Sequence, residues 1–382
     1  NTYAGATTIS AGVLRITRNT SLGTTAGGVT VASGSGLEID GTGGAVTVGA
    51  EAISIAGGGV TLPTPNLGAI RNIAGNNTYG GTTYVNAGTL SLTAPSGFIT
   101  VPGDLVITGF ASGTNSVVSM VNAGQIADTA NVTLLGGGNL TLAGTNTLRG
   151  LTFDNEGAMA NPTVAAASLT LSQTAAITAT NQSPVSVPVI SGTALDFGSN
   201  NPVITVNAGL AATGLVISAP ITQNAAMLSL TKSGAGVLAL SGQSTFTTGL
   251  TLAAGALMLG ADSVVASGAI TSGPVGRGTL VVGAGTSLIS DGTVRTIANP
   301  LSVDGDFAFG GQQEGLPLLY RQRLQSAYQT GGELLAFKYL GWLFMAGSYL
   351  SFLHSGLLII ELRLVGVPDA HMPVVIGQAI AG

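Results

Sequence analysis

The sequence predicts an all-β fold, a parallel β-helix, over residues 1–311. Three observations favour this fold. One phrase occurs three times without a gap, at 1–16, 77–92 and 244–259, and self-similarity of this kind is typical of stacked repeat architectures. The chain between the copies consists of short apolar runs bounded by Gly, Ser, Asn or Asp, and residues before 312 show no convincing helical period. A sandwich or a propeller is the competing all-β fold.

The second copy shows why each repeat predicts two strands and a corner. Thr83 and Val85 form one alternating set, and Leu90 and Leu92 form another. Alternation places each set on one face of a strand. Gly88 lies between the two runs and can adopt a positive φ, so the chain can turn there without a Cβ clash. The runs are too short and too closely spaced for hairpin strands, which favours the helix of parallel strands.

The same alternation predicts which side chains form the repeat core. These residues should point inward and stack in columns from turn to turn. They are Leu14, Ile16, Val85, Leu90, Leu92, Leu238, Leu240, Leu252, Leu257 and Leu259.

Composition agrees with stacked turns. Glycine accounts for 59 of 382 residues and charged residues for 7%, against a typical quarter. Thr, Ser and Asn are expected on the outer faces, where stacked hydroxyls and amides can hydrogen-bond while stacked like charges would repel. The low charge is therefore consistent with stacking and does not require a lipid environment.

The phrases resemble a known repeat. Residues 236–259 begin with Gly-x-Leu-x-Leu-x-Gly, and residues 77–83 read Asn-Thr-Tyr-Gly-Gly-Thr-Thr. Both resemble the autotransporter-associated β-strand repeat, with Phe246 and Ser244 as departures. The resemblance implies a right-handed parallel β-helix in a passenger region that a Gram-negative-type bacterium secretes or displays on its outer surface. Such passengers are often adhesins.

The charge and the missing cysteines restrict the function classes. The chain has no Cys and a net charge of −5, and its 11 basic residues form no cluster. Thiol chemistry is thereby excluded, nucleic-acid binding is disfavoured, and no cofactor is expected. We expect partners among host surfaces, extracellular glycans or proteins, and neighbouring repeats of a longer chain. A non-enzymatic structural or adhesive role is the first hypothesis, and a polysaccharide lyase or hydrolase on the same scaffold is the alternative.

Residues 312–382 form a tail with a different composition, rich in Leu and aromatic residues. Residues 317–338 could form a helix, and residues 339–360 carry no formal charge over a length that could span a bilayer. Three interpretations remain open: a membrane-anchoring helix, a buried capping segment, or a change of reading frame in the coding sequence.

Carboxylate pairs are the first candidates for acid–base chemistry, and a Ser-His-Asp arrangement would need His354 or His371 of the tail. Asp154 with Glu156, and Asp304 with Asp306, share one face if they lie in strands. The expected alternative is a solvated corner, and we predict no catalytic residue. A metal site is not predicted either, because the two His are 17 residues apart and Cys is absent. Tyr3, Tyr79, Tyr84 and Phe246 are expected to pack rather than to bind sugars.

Overall fold

The computed structural model confirms the parallel β-solenoid. It describes residues 1–24, 26–44, 46, 48, 52–57, 59–60, 69–74, 81–109, 115–155, 158–198, 201–222, 229–311, 357–363 and 371–377. The described residues contain no helix. The chain forms two compact units, one comprising residues 1–199 and 209–211, and the other residues 200–208 and 212–382.

The first unit contains three parallel sheets. The first sheet has the strands β1 (Thr7–Ile9), β3 (Val29–Val31), β5 (Ile53–Ile55), β7 (Thr83–Val85), β9 (Leu105–Gly109), β11 (Asn131–Gly136), β13 (Gly150–Asp154) and β15 (Ile177–Thr180) in this spatial order. The second has β8 (Thr89–Leu92), β10 (Val117–Met120), β12 (Asn139–Leu148), β14 (Thr163–Leu171) and β16 (Val189–Phe197). The third has β2 (Gly12–Ile16), β4 (Ser35–Asp40) and β6 (Ile70–Ala74).

The second unit contains two stacks of parallel strands. One parallel sheet has β17 (Val203–Asn207), β19 (Leu230–Ser233), β21 (Leu250–Leu252), β25 (Leu280–Val282) and β28 (Leu301–Val303). The other has β18 (Leu215–Ile217), β20 (Val237–Leu240), β22 (Ala256–Leu259), β26 (Ser287–Ser290) and β29 (Ala308–Gly311). Strands that follow each other in the chain therefore lie in different sheets, as a solenoid requires.

The predicted corners are present where the repeats place them. In the three copies, β1 leads to β2, β7 to β8, and β21 to β22. The corner glycines Gly12, Gly88 and Gly255 have φ values of 70°, 80° and 72°. This left-handed region is open to glycine at no steric cost, which explains the Ala-Gly pair of each copy.

Two antiparallel pairs depart from the solenoid. The first is a hairpin of β23 (Val264–Ala266) and β24 (Ala269–Ser272), with Val264 and Val265 exposed. Ser267 and Gly268 form its turn, both with positive φ, as in a type I′ turn. In the second pair, β30 (Leu357–Arg363) runs antiparallel to β31 (His371–Gly377) and parallel to β27 (Arg295–Ile297).

The tail departs from the expected helix where it is described. Residues 357–360, the end of the proposed membrane-spanning segment, lie in β30. The rest of that segment, 339–356, and the proposed helix at 317–338 lie outside the described residues. In the described part of the chain, no helix has the length and hydropathy needed to cross a membrane. The boundary at residue 311 stays a prediction.

Candidate functional site

The inward positions of both units form apolar columns. Leu257 pairs in register with Leu238 on one side and Leu288 on the other, and its side chain is fully buried. Buried side chains at the predicted core positions are Ile16, Val85, Leu90, Leu92, Leu238, Leu240, Leu252, Leu257 and Leu259. Leu14, in the edge strand β2, is only half-buried.

The outward positions of the first sheet form a column of uncharged side chains, all of them short except Tyr84. Successive strands of the first unit align the column in register: Thr8, Thr30, Ser54, Tyr84, Val106, Thr133, Thr152 and Thr178. The spacing of neighbouring strands is about 4.8 Å. Tyr84 is the largest member of the column and is 37% exposed.

Asp40 is a buried carboxylate, and neighbouring residues donate hydrogen bonds to both of its oxygens. Its Oδ1 accepts hydrogen bonds from the Thr42 hydroxyl (2.7 Å) and the Thr42 backbone N–H (3.0 Å). Its Oδ2 accepts hydrogen bonds from the Arg15 guanidinium. The Thr42 hydroxyl and then the Arg15 guanidinium lower the pKa of Asp40 to about 2. A carboxylate held in this way is poorly suited to proton transfer near neutral pH.

Buried side-chain amides form hydrogen bonds with backbone groups at the corners between strands. Gln125 accepts from the Ala94 N–H and donates to the carbonyls of Leu92 and Asn122. In other turns, Asn155 and Asn181 both donate to the carbonyl of Ser186. These amides take over the backbone groups that a corner leaves without a strand partner.

Lys232 occupies an inward position of β19, in register with Ile204 and Leu252. Its side chain is fully buried. The Nζ donates to the carbonyls of Gly234, Gly236 and Ala254 at 2.5, 2.6 and 2.8 Å. Burial lowers the pKa of Lys232 to about 8. Sequence reasoning missed this residue, although a lysine at an apolar position of the β-strand alternation was a visible signal.

The carboxylate pairs proposed from the sequence lie at corners or strand ends. Asp304 is exposed and Asp306 half-buried, and both lie between β28 and β29, where their backbone groups bond to Val282 and Gly285. Asp154 ends β13, and its Oδ1 is buried without a hydrogen-bond partner among the described residues. Glu156 lies outside the described residues.

The repeat aromatics divide into packed and exposed members. Phe246 is buried, and its ring lies against Gly276, where an added Cβ would approach it to 2.9 Å. Tyr3 lies against Gly23 in the same way but is exposed at 41%. Tyr84 is exposed at 37% in an outward position of β7, so the expected packing is wrong for Tyr84 but not for Tyr3. Tyr79 lies outside the described residues.

The described residues include no group of three or more His, Asp or Glu side chains that could hold a metal ion. His354 lies outside them, and His371 begins β31.

Comparison with known families identifies the repeat. The sequence model of the passenger-associated-transport-repeat matches residues 1–16, 72–92 and 230–259. The three segments thus match the repeat of autotransporter passengers. They coincide with the three phrases and their corners, so the resemblance predicted from the sequence is confirmed. No curated protein and no solved structure matches the chain.

The matched segments include part of the geometry described above. The third match includes both Lys232 and the column around Leu257. The matched repeats and the parallel β-solenoid fit an autotransporter passenger, a class of region that reaches the cell surface or the medium.

Proposed function

We propose that the chain is a non-enzymatic, structural and adhesive region of an autotransporter passenger, exposed at the bacterial surface. The outward column from Thr8 to Thr178 is the observation that carries this proposal. It offers hydroxyl and methyl groups at one spacing, without a charge, over eight consecutive strands of one sheet. A surface of this kind suits shallow, distributed contacts with an extended polymer such as an extracellular glycan or protein.

The hydrogen bonds of the buried charged and amide side chains support a structural role. Arg15 and Thr42 hold Asp40, three carbonyls hold Lys232, and backbone groups hold the buried amides. Enzymes commonly leave such groups unsaturated in a cleft, where their pKa values are tuned for catalysis. Here the same groups stabilise corners.

Tyr84 provides the test of the adhesive role. An exposed aromatic ring has an apolar face and a polar hydroxyl that fit a sugar ring. The Tyr84→Ala chain should bind immobilised polysaccharides and extracellular-matrix proteins less than the natural chain, with the same melting temperature. The Tyr84→Phe chain keeps the ring and is the matched control. Equal binding by all three chains would contradict adhesion through this column.

The enzymatic alternative has its own assay. Polysaccharides incubated with the chain should release neither reducing ends nor unsaturated products. Release of either product, abolished in the Asp154→Asn chain, would overturn the non-enzymatic proposal and assign the activity to the buried carboxylate of β13.

A further inference from the structure

The corner after β19 has the arrangement of acceptor atoms that a cation site requires. The carbonyl oxygens of Gly234, Gly236 and Ala254 converge on one point, where the Lys232 Nζ lies at 2.5–2.8 Å from each. Three acceptors match the three N–H bonds of a primary ammonium group, and no acceptor is left over. Charge-assisted hydrogen bonds of this kind are stronger than neutral ones.

The three carbonyls belong to two successive turns. Gly234 and Gly236 lie between β19 and β20, and Ala254 lies between β21 and β22. The ammonium group therefore joins one corner to the corner of the next turn. Gly255 leaves the space for it, because a Cβ at this position would lie 2.7 Å from Nζ and 2.5 Å from the Gly234 oxygen.

In the described part of the chain around Lys232, no charged group compensates the ammonium. The elements around it are β17, β19 to β22 and the two corners, and Lys232 is the only titratable residue in them. Burial alone lowers the pKa of Lys232. Backbone carbonyls thus replace the counter-ion that a buried charge normally requires.

We propose that this corner is a binding site for a primary ammonium group, which Lys232 occupies from within the chain and which ties two successive turns together. The site recognises three N–H donors and one positive charge. A free alkylammonium ion of the same length should occupy it when the lysine side chain is removed.

The first experiment uses the full-length Lys232→Ala chain and n-propylammonium chloride, which replaces the atoms removed. Filling an engineered cavity with the missing group is a known route to stabilisation. At tenfold excess over its dissociation constant, the ion should raise the melting temperature by about 2 °C. The N,N,N-trimethylpropylammonium ion has the same charge without an N–H and should give no rise. Equal effects of both ions, or an effect of neither, would overturn the proposal.

A second measurement uses the natural chain, so it does not depend on the folding of the variant. The sequence contains two lysines, Lys232 and Lys338, so acylation with acetic anhydride can be followed for each by peptide mass spectrometry. In the folded chain at pH 9, acylation of Lys232 should be more than tenfold slower than in urea. A solvent-exposed lysine with a lowered pKa would instead be acylated faster at this pH than an ordinary lysine, because more of it is in the neutral, nucleophilic form. Rapid acylation of Lys232 in the folded chain would contradict its enclosure by the two corners.

Discussion

At the scale of single residues, stability depends on which side of the strand a side chain occupies. Leu257 is buried between Leu238 and Leu288 in one inward column. Thr251 lies on the outward side of β21, between Thr231 and Val281. Both positions lie in the same unit and the same repeat copy. An aspartate at each position therefore compares a buried charge with an exposed one.

The substitution Leu257→Asp should lower the free energy of unfolding by about 4 kcal/mol or more, because it buries a charge that has no partner. Thr251→Asp adds the same charge outside and should cost less than about 1 kcal/mol. Chemical denaturation of the two variants measures both values. Similar losses would show that the inward and outward assignments of these strands are wrong.

Asp40 gives a pH dependence in acid. Its pKa is about 2 in the folded chain, below the ordinary value of 3.8. The ionised carboxylate therefore stabilises the fold fully above about pH 4, and this contribution is lost as the pH falls toward 2. In the Asp40→Asn chain, the free energy of unfolding, measured by chemical denaturation, should fall less between pH 5 and 2 than in the natural chain. The same pH dependence in both chains would contradict the lowered pKa.

Lys232 gives a second pH dependence, in base, and its sign is the same as that of Asp40. Its pKa is about 8 in the folded chain and 10.5 as the ordinary value. Between these values the unfolded chain binds more protons than the folded chain, so the free energy of unfolding should rise with pH. The Lys232→Met chain lacks this titration. The difference in stability between the natural chain and this variant should therefore shift in favour of the natural chain from pH 8 to pH 10, as measured by urea denaturation. A shift in the other direction would contradict the effect of burial on this lysine.

At the scale of elements, the corners between strands restrict which residues fit where successive turns approach each other. Gly255 and Gly285 both have positive φ, at 72° and 75°, and both lie in corners of the second unit. An added Cβ at Gly255 would meet the Gly234 oxygen at 2.5 Å, whereas at Gly285 nothing lies within 4 Å. The pair thus separates backbone strain from crowding.

Gly285→Ala should cost about 1–2 kcal/mol, which is the strain of a left-handed alanine. Gly255→Ala adds the clash with the corner of the preceding turn and should cost about 3 kcal/mol or more. Thermal melting of the two variants is the measurement. Equal costs would mean that the turns are less closely stacked at Gly255 than the structure shows.

The elements that the sequence predicts are those set by local alternation. The phrases at 1–16, 77–92 and 244–259 predict strands and corners because period two and a corner glycine are properties of neighbouring residues. The hairpin of β23 and β24 was not predicted, although Ser267-Gly268 is a turn signal. Lys232 and Gln125 could not be predicted as corner residues, because their partners come from other turns and depend on the register between them.

At the scale of the whole molecule, stacked turns interact mainly with their neighbours. In such architectures, stability is close to a sum over turns and nearest-neighbour contacts. The chain also divides into two compact units. A local defect should therefore remain local.

Hydrogen exchange followed by mass spectrometry tests this expectation. In the Leu257→Asp chain, amide exchange should accelerate in the peptides of residues 229–311 and stay unchanged in those of residues 81–155. The natural chain under the same conditions is the control. Uniform acceleration over both ranges would show that the chain unfolds as one cooperative body.

The charge-poor outer column has a consequence for the medium in which the chain works. Coulombic attachment weakens as dissolved ions shorten the screening distance, from roughly 30 Å at 0.01 M to about 8 Å at 0.15 M. The column from Thr8 to Thr178 contains no ionised side chain, so its contacts have little to lose to screening. A bacterium that carried such a surface could hold its target equally well in fresh water and in brine.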